Sequence, residues 1–118
     1  MLEQSEAELQ RDVLSWLAIY NILHWRMPIG AVLHRKGKGS NVKEFRKPSP
    51  IKGFPDIAGV LSKENRGMLF ALELKSKKGR LTQDQKIWIA KLELAGAKAA
   101  VIKSLDDLIE SFTRWGEI

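Results

Sequence analysis

Apolar and polar positions change period several times along the chain, and each change marks an element. Near the N-terminus Leu9, Val13, Trp16, Leu17 and Tyr20 recur at three- and four-residue steps, the spacing of one helix face. Ahead of them Ser5-Glu6-Ala7-Glu8 reads as a capping box, with Glu8 reaching back to the Ser5 N–H. This pattern predicts a helix over about 6–23. A short apolar stretch, 29–34, predicts a strand. Over 35–52 periodicity is lost among Gly, Ser, Pro and Lys, which predicts a long mobile loop. Residues 56–61 (DIAGVL) and 68–75 (MLFALELK) predict two further strands, joined by a hairpin-type connection at Lys63-Glu64-Asn65-Arg66-Gly67. The second of these is apolar almost throughout, as suits a central strand covered on both faces. Thr82-Gln83-Asp84-Gln85 is a second capping box, and its helix carries Trp88, Ile89, Leu92 and Ala95 on one face and stops near Gly96. Residues 99–102 predict a fourth strand, and Ser104 caps a last helix through Leu105, Leu108, Ile109 and Phe112. The strand–helix–strand unit over 68–102 is expected to be a right-handed parallel crossover. The order α-β-β-β-α-β-α therefore predicts an α/β fold, a mixed central sheet flanked by helices, and 118 residues without repeat or boundary suit a single domain, 1–118.

Composition narrows what such a domain does. The absence of cysteine excludes disulfides, thiolate metal sites and cysteine nucleophiles, and is compatible with a reducing cytoplasm. With only His24 and His34, a histidine-rich metal site is disfavoured; both are expected to be structural or solvated. No apolar run approaches the roughly 18 residues of a membrane span, and the acidic, polar MLEQSEAELQ is no secretory signal. The net charge of +6 favours a polyanionic partner, chiefly nucleic acid. Much of that charge gathers in the loop, where Arg35, Lys36, Lys38, Lys43, Arg46, Lys47 and Lys52 face the single acid Glu44; these seven are the candidate DNA contacts.

The chemistry concentrates around the two central strands. Glu73 and Lys75 alternate with Leu72 and Leu74, so they share one face at the end of an apolar strand, where charge is costly to bury without partners. If the strands pair through the 63–67 turn, Asp56 falls beside Glu73. Two carboxylates and an ammonium then converge. A hard cation such as Mg2+ needs only one or two protein carboxylates, so Asp56 and Glu73 are candidate ligands, with the Leu74 carbonyl a plausible third. Lys75 would orient a water or stabilise charge on an attacked phosphate.

Pro55-Asp56 … Glu73-Leu74-Lys75 resembles the PD-(D/E)XK nuclease signature. The surroundings resemble its VRR-NUC branch: Gly53 before Phe54-Pro55-Asp56, then Gly79-Arg80-Leu81-Thr82 leading to Gln85 and Trp88, Gly96 before the final strand, and Ser104-Leu105-Asp106-Asp107 after it. The resemblance implies a restriction-endonuclease-like α-β-β-β-α-β core plus a C-terminal helix. It also implies a Mg2+-dependent endonuclease in which Mn2+ can substitute, of the stand-alone, phage-type kind that acts as a homodimer on branched DNA such as Holliday junctions. The cytoplasm, including that of a phage-infected host, is the expected compartment. The first helix of such nucleases often offers a glutamate in a pattern like E-x-x-L-Q, which points to Glu6 as a further metal-site residue. Gln85 matches a further site position.

Plainer alternatives stand beside these assignments. Glu73 and Lys75 could be a solvated strand end and Asp56 a turn residue. Gln85 could serve only its capping box, and Glu6 could only favour the helix N-terminus through the macrodipole. Trp16 and Trp88 sit at core spacing rather than forming a base-stacking platform. At the level of function, the alternatives are a non-cleaving DNA-binding module on a nuclease fold, or a flap or restriction-type nuclease.

Overall fold

The computed structural model describes residues 3–27, 31–34, 45–48 and 51–118, with 31–34 and 45–48 described as backbone only. The elements in chain order are α1 (Glu6–Ile19), β1 (Leu23–Arg26), β2 (Ala31–His34), β3 (Phe45–Pro48), β4 (Ile57–Val60), β5 (Leu69–Leu74), α2 (Gln83–Leu94), β6 (Lys98–Ile102) and α3 (Leu105–Arg114). The main sheet has the order β1-β4-β5-β6. β1 pairs with β4 and β4 with β5 antiparallel, whereas β5 and β6 are parallel and joined through α2. This is the mixed sheet that the alternating apolar runs predict.

The start of the sheet differs from expectation. Helix α1 ends at Ile19 rather than near residue 23, because Asn21 adopts the left-handed region at φ 56, which asparagine tolerates better than most residues. The Asn21 N–H donates to the Ala18 carbonyl at 3.0 Å and the Ile22 N–H to that of Leu17 at 2.9 Å, the paired bonds of a Schellman stop. The freed segment Leu23–Arg26 becomes β1 and pairs with β4. The strand expected over 29–34 is described only as Ala31–His34, and it joins a separate two-stranded sheet with β3 instead of the main one. Strand β3 itself lies in the stretch expected to be a loop; 35–44 and 49–50 lie outside the described residues.

The core sits between the sheet and the α1/α3 pair. Leu9, Val13, Trp16 and Leu17 of α1 and Leu108 and Phe112 of α3 meet Ile57, Phe70, Leu72, Leu74 and Ile102 of the sheet. Trp16 therefore belongs to the core, edge-on to Phe112 at 5.4 Å between ring centres. Gly59 in β4 makes this packing possible: a Cβ there would run into the Phe70 ring and the Leu23 carbonyl. The β4–β5 connection folds as a short 3-10 turn, Lys63–Asn65. From beyond α3, the Glu117 carboxylate accepts hydrogen bonds from the Ser62 N–H (2.9 Å), the Ser62 hydroxyl (3.0 Å) and the Asn65 amide (2.7 Å).

Candidate active site

Alternation along β5 sends Phe70, Leu72 and Leu74 to the α1/α3 side and leaves Ala71, Glu73 and Lys75 on the face toward α2. Ile57 pairs with Leu72, so Asp56 arrives beside Glu73 on that same face. Asp56 Oδ2 accepts the Leu74 N–H at 2.8 Å, which fixes the carboxylate across the end of β5. Gly53 sets the approach of this segment. Its φ is +88 and a Cβ would sit 2.6 Å from the Asp84 backbone, so only glycine lets the Phe54-Pro55-Asp56 run lie against the first turn of α2. Phe54 then meets Trp88 edge-on at 5.2 Å, placing that half-buried tryptophan in a packing contact.

Glu73 is only 2 % exposed. Its Oε2 accepts from Gln85 Nε2 at 3.2 Å and lies 3.8 Å from Lys75 Nζ. Its Oε1 is buried and, among the described residues, has no hydrogen-bond partner. Burial first, and then the Asp56 carboxylate beside it, push the Glu73 carboxyl from an ordinary 4.5 up to about 8, with Lys75 pulling the other way. A buried carboxylate oxygen without a protein partner, beside a second carboxylate, is well suited to a proton or a cation.

Gln85 meets both the capping box and Glu73. Its Oε1 accepts the Thr82 N–H at 2.9 Å and closes the capping box, while its Nε2 holds Glu73. Because the cap requires the oxygen, the donor end of the amide must face Glu73. Glu8 closes the α1 capping box with Ser5. Glu6, two residues earlier and on another side of the helix, does something else: its Oε1 accepts the Ser76 N–H at 3.3 Å, tying the start of α1 to the residue after Lys75. Glu6→Gln is expected to lower turnover with little change in melting temperature, whereas Glu8→Ala is expected to cost about 1 kcal/mol of stability as a lost cap and leave turnover alone. Equal kinetic losses in the two variants would remove the distinction.

Asp56 and Glu73, with the Leu74 carbonyl next in sequence after Glu73, fit a hard oxygen-seeking cation, and the unpartnered Glu73 Oε1 is where such an ion would be held. Among the described residues no group of three His, Asp or Glu side chains is gathered tightly enough to enclose a metal; Glu6 is bonded instead to the Ser76 N–H. Of the loop cations, Arg35, Lys36, Lys38 and Lys43 lie outside the described residues, and Arg46 and Lys47 are placed on β3 by backbone alone. Lys52 is 3.8 Å from Asp84 in an exposed pair and lines a hollow of about 250 Å³ with Asp56 and Gln85. His24 is half-buried with Nδ1 2.6 Å from the Ile22 carbonyl, away from the carboxylates.

Residues 5–106 match the VRR-NUC domain. The chain belongs to the VRR-NUC family. A VRR-NUC domain is nuclease-like, of the PD-(D/E)XK type, a class of hydrolase that acts on DNA and usually employs a divalent metal. No curated protein and no solved structure matches the chain. The VRR-NUC match spans every element that builds the carboxylate pair, from the Ser5 cap through α2 and β6. Among the described residues no helix is long and apolar enough to cross a membrane.

Proposed function

We propose that this VRR-NUC domain is a magnesium-dependent endodeoxyribonuclease that works as a homodimer on branched DNA such as Holliday junctions. The observation that carries the metal-dependent part is the buried Glu73 oxygen without a partner, set against Asp56 and beside Lys75. Asp56 and Glu73 would hold the ion together with the Leu74 carbonyl. A bound divalent cation lowers the pKa of a coordinated water and neutralises charge on the attacked phosphate. The chain's own residues supply the rest. The Leu74 N–H holds Asp56 in place, and the Gln85 amide holds Glu73 from the opposite side. Lys75 is largely buried and carries a compact positive charge next to Glu73. That charge can orient a water or offset negative charge gathering on the phosphate oxygens as the bond to the leaving oxygen breaks.

A two-fold dimer suits a four-way junction, whose resolution needs two matched cuts. The test is incubation with linear, flap and four-way DNA, with Mg2+, with Mn2+ and with chelator, alongside light scattering. Cutting in either metal, none in chelator, preference for the four-way substrate and a dimeric mass are expected. Binding without cutting in every condition would instead leave a non-cleaving module, and a monomer making paired cuts would sink the dimer.

A further inference from the structure

A second hollow, of about 410 Å³, opens beside Lys75. Its charged lining is Lys75, Arg80, Lys86 and Lys103, with no acidic residue among the lining side chains. Three separate elements bring these together. Lys75 and Lys103 follow Leu74 and Ile102, the last paired positions of the parallel strands, and the Lys75 N–H still donates to the Ile102 carbonyl at 3.0 Å. Arg80 comes from the segment leading into α2 and Lys86 from the first turns of that helix. Val101, paired with Glu73, lines the same hollow, so this is the sheet face that carries the active-site carboxylates.

Two lysines at neighbouring positions on adjacent strand ends repel each other; Glu73 offsets Lys75 from 3.8 Å and Asp107 accepts the Lys103 N–H at 2.9 Å, but no acidic side chain lines the hollow itself. Among the described residues Arg80, Lys86 and Lys103 form no ion pair. The Lys103 ammonium donates to the Lys77 carbonyl at 3.3 Å, which steadies it without neutralising it. The hollow also opens at the carboxyl ends of parallel strands, where α/β sheets commonly take their ligands. The first hollow, by contrast, contains Asp56 and Asp84 and is mixed in sign.

We propose that the Lys75, Arg80, Lys86 and Lys103 hollow is a subsite for a DNA backbone phosphate, the one adjacent on the same strand to the phosphate at Asp56 and Glu73. The inference rests on the reading of the site as one that acts on DNA. Lys75 lines this hollow and its Nζ lies 3.8 Å from Glu73 Oε2, so a strand passing over it presents one phosphate to the carboxylates and the next to the cationic lining. Arg80, Lys86 and Lys103 thus set register, deciding which bond lies over the carboxylates.

Two measurements on the full chain test this. The first needs no cutting: binding to a DNA duplex in chelator, across a salt series, for the wild type, for the triple variant Arg80→Gln, Lys86→Gln, Lys103→Gln, and for Arg80→Gln alone. A control triple variant, Lys63→Gln, Arg66→Gln, Lys98→Gln, removes the same charge elsewhere. The wild-type and control slopes of log affinity against log salt are expected to agree. The hollow variant is expected to be shallower by about 0.9, the contribution of one neutralised phosphate, and Arg80→Gln to fall between. Unchanged melting temperatures would show that all variants fold. An unaltered slope in the hollow variant, or an equal fall in the control, would overturn the subsite. The second measurement places the phosphate. A single neutral methylphosphonate next to a cut bond is expected to suppress that cut at least several-fold in the wild type and to have little further effect in the triple variant. Equal suppression in both would overturn the same-strand assignment. A wild type that binds but never cuts would refute the nuclease reading, while the salt slopes would still decide the hollow.

Discussion

Glu73→Gln is expected to abolish cleavage and, in the same protein, to raise its melting temperature in the absence of metal. The two effects share one cause. In the folded chain the Glu73 carboxyl is pushed up to about 8 from an ordinary 4.5, chiefly by burial and by Asp56. A group whose folded pKa is raised contributes its full stability below the unfolded pKa and loses it as pH rises through the folded value. The metal-free wild type should therefore match Glu73→Gln near pH 4.5 and fall behind it progressively toward pH 8, by an amount on the order of a few kcal/mol. Glutamine has the same shape and no charge, so the buried pair loses its repulsion with Asp56. The same substitution removes a charged oxygen that a cation needs. Millimolar Mg2+ should accordingly raise the melting temperature of the wild type and leave the variant's unchanged, a shift that follows from binding to the folded state alone. Asp56→Asn should be equally inactive. A Glu73→Gln protein that melts below the wild type at pH 8, or that cuts DNA at the wild-type rate, would contradict the assignment.

The second large effect is structural. Gly59→Val is expected to destabilise the chain by about 3 kcal/mol or more, the upper end of what overpacking a filled core costs. For a domain of this size that lowers the melting temperature by roughly 10 °C or more. The position has no special backbone angle; the constraint is space, since the Phe70 ring and the Leu23 carbonyl already occupy the site of a Cβ. Phe70→Leu in the Gly59→Val background should recover part of the loss by vacating the ring, and a thermal-melt cycle of the four proteins would measure that coupling. A Gly59→Val protein as stable as the wild type would mean that β1 and Phe70 are not packed over β4 as described.

The carboxylate pair was legible because it depends on short-range rules. Strand alternation places Glu73 with Lys75, and a short turn between β4 and β5 brings Asp56 alongside. The two capping boxes were legible for the same reason, being contained within four residues each. The end of α1 was not, because Ile22 and Leu23 continue an apolar stripe and disguise the stop that Asn21 imposes through its backbone angle. With the helix stopped there, the first sheet strand forms at Leu23–Arg26, one segment earlier than the apolar run at 29–34 predicts. Lys86 and Lys103 are hidden in the sequence for a different reason. They lie 17 residues apart in sequence, on α2 and beyond β6, and only the parallel pairing of β5 with β6 gathers them around Lys75. Glu117 likewise reads as an ordinary surface acid until the fold carries it to Ser62 and Asn65.

That clasp bears on the accuracy of the strand pair it closes. Side chains on a strand alternate faces, so a slip of one residue between β4 and β5 would turn Asp56 and Glu73 away from each other while still satisfying most of the ladder. The carboxylates stand at the open end of this hairpin, and the Glu117 bonds grip its turn at the other end. Fixing a hairpin at its turn excludes the shifted alignments before the far end is reached. Glu117 is thus a setting screw for a pair of residues it never touches, holding the hairpin in the one alignment that brings Asp56 and Glu73 to the same face.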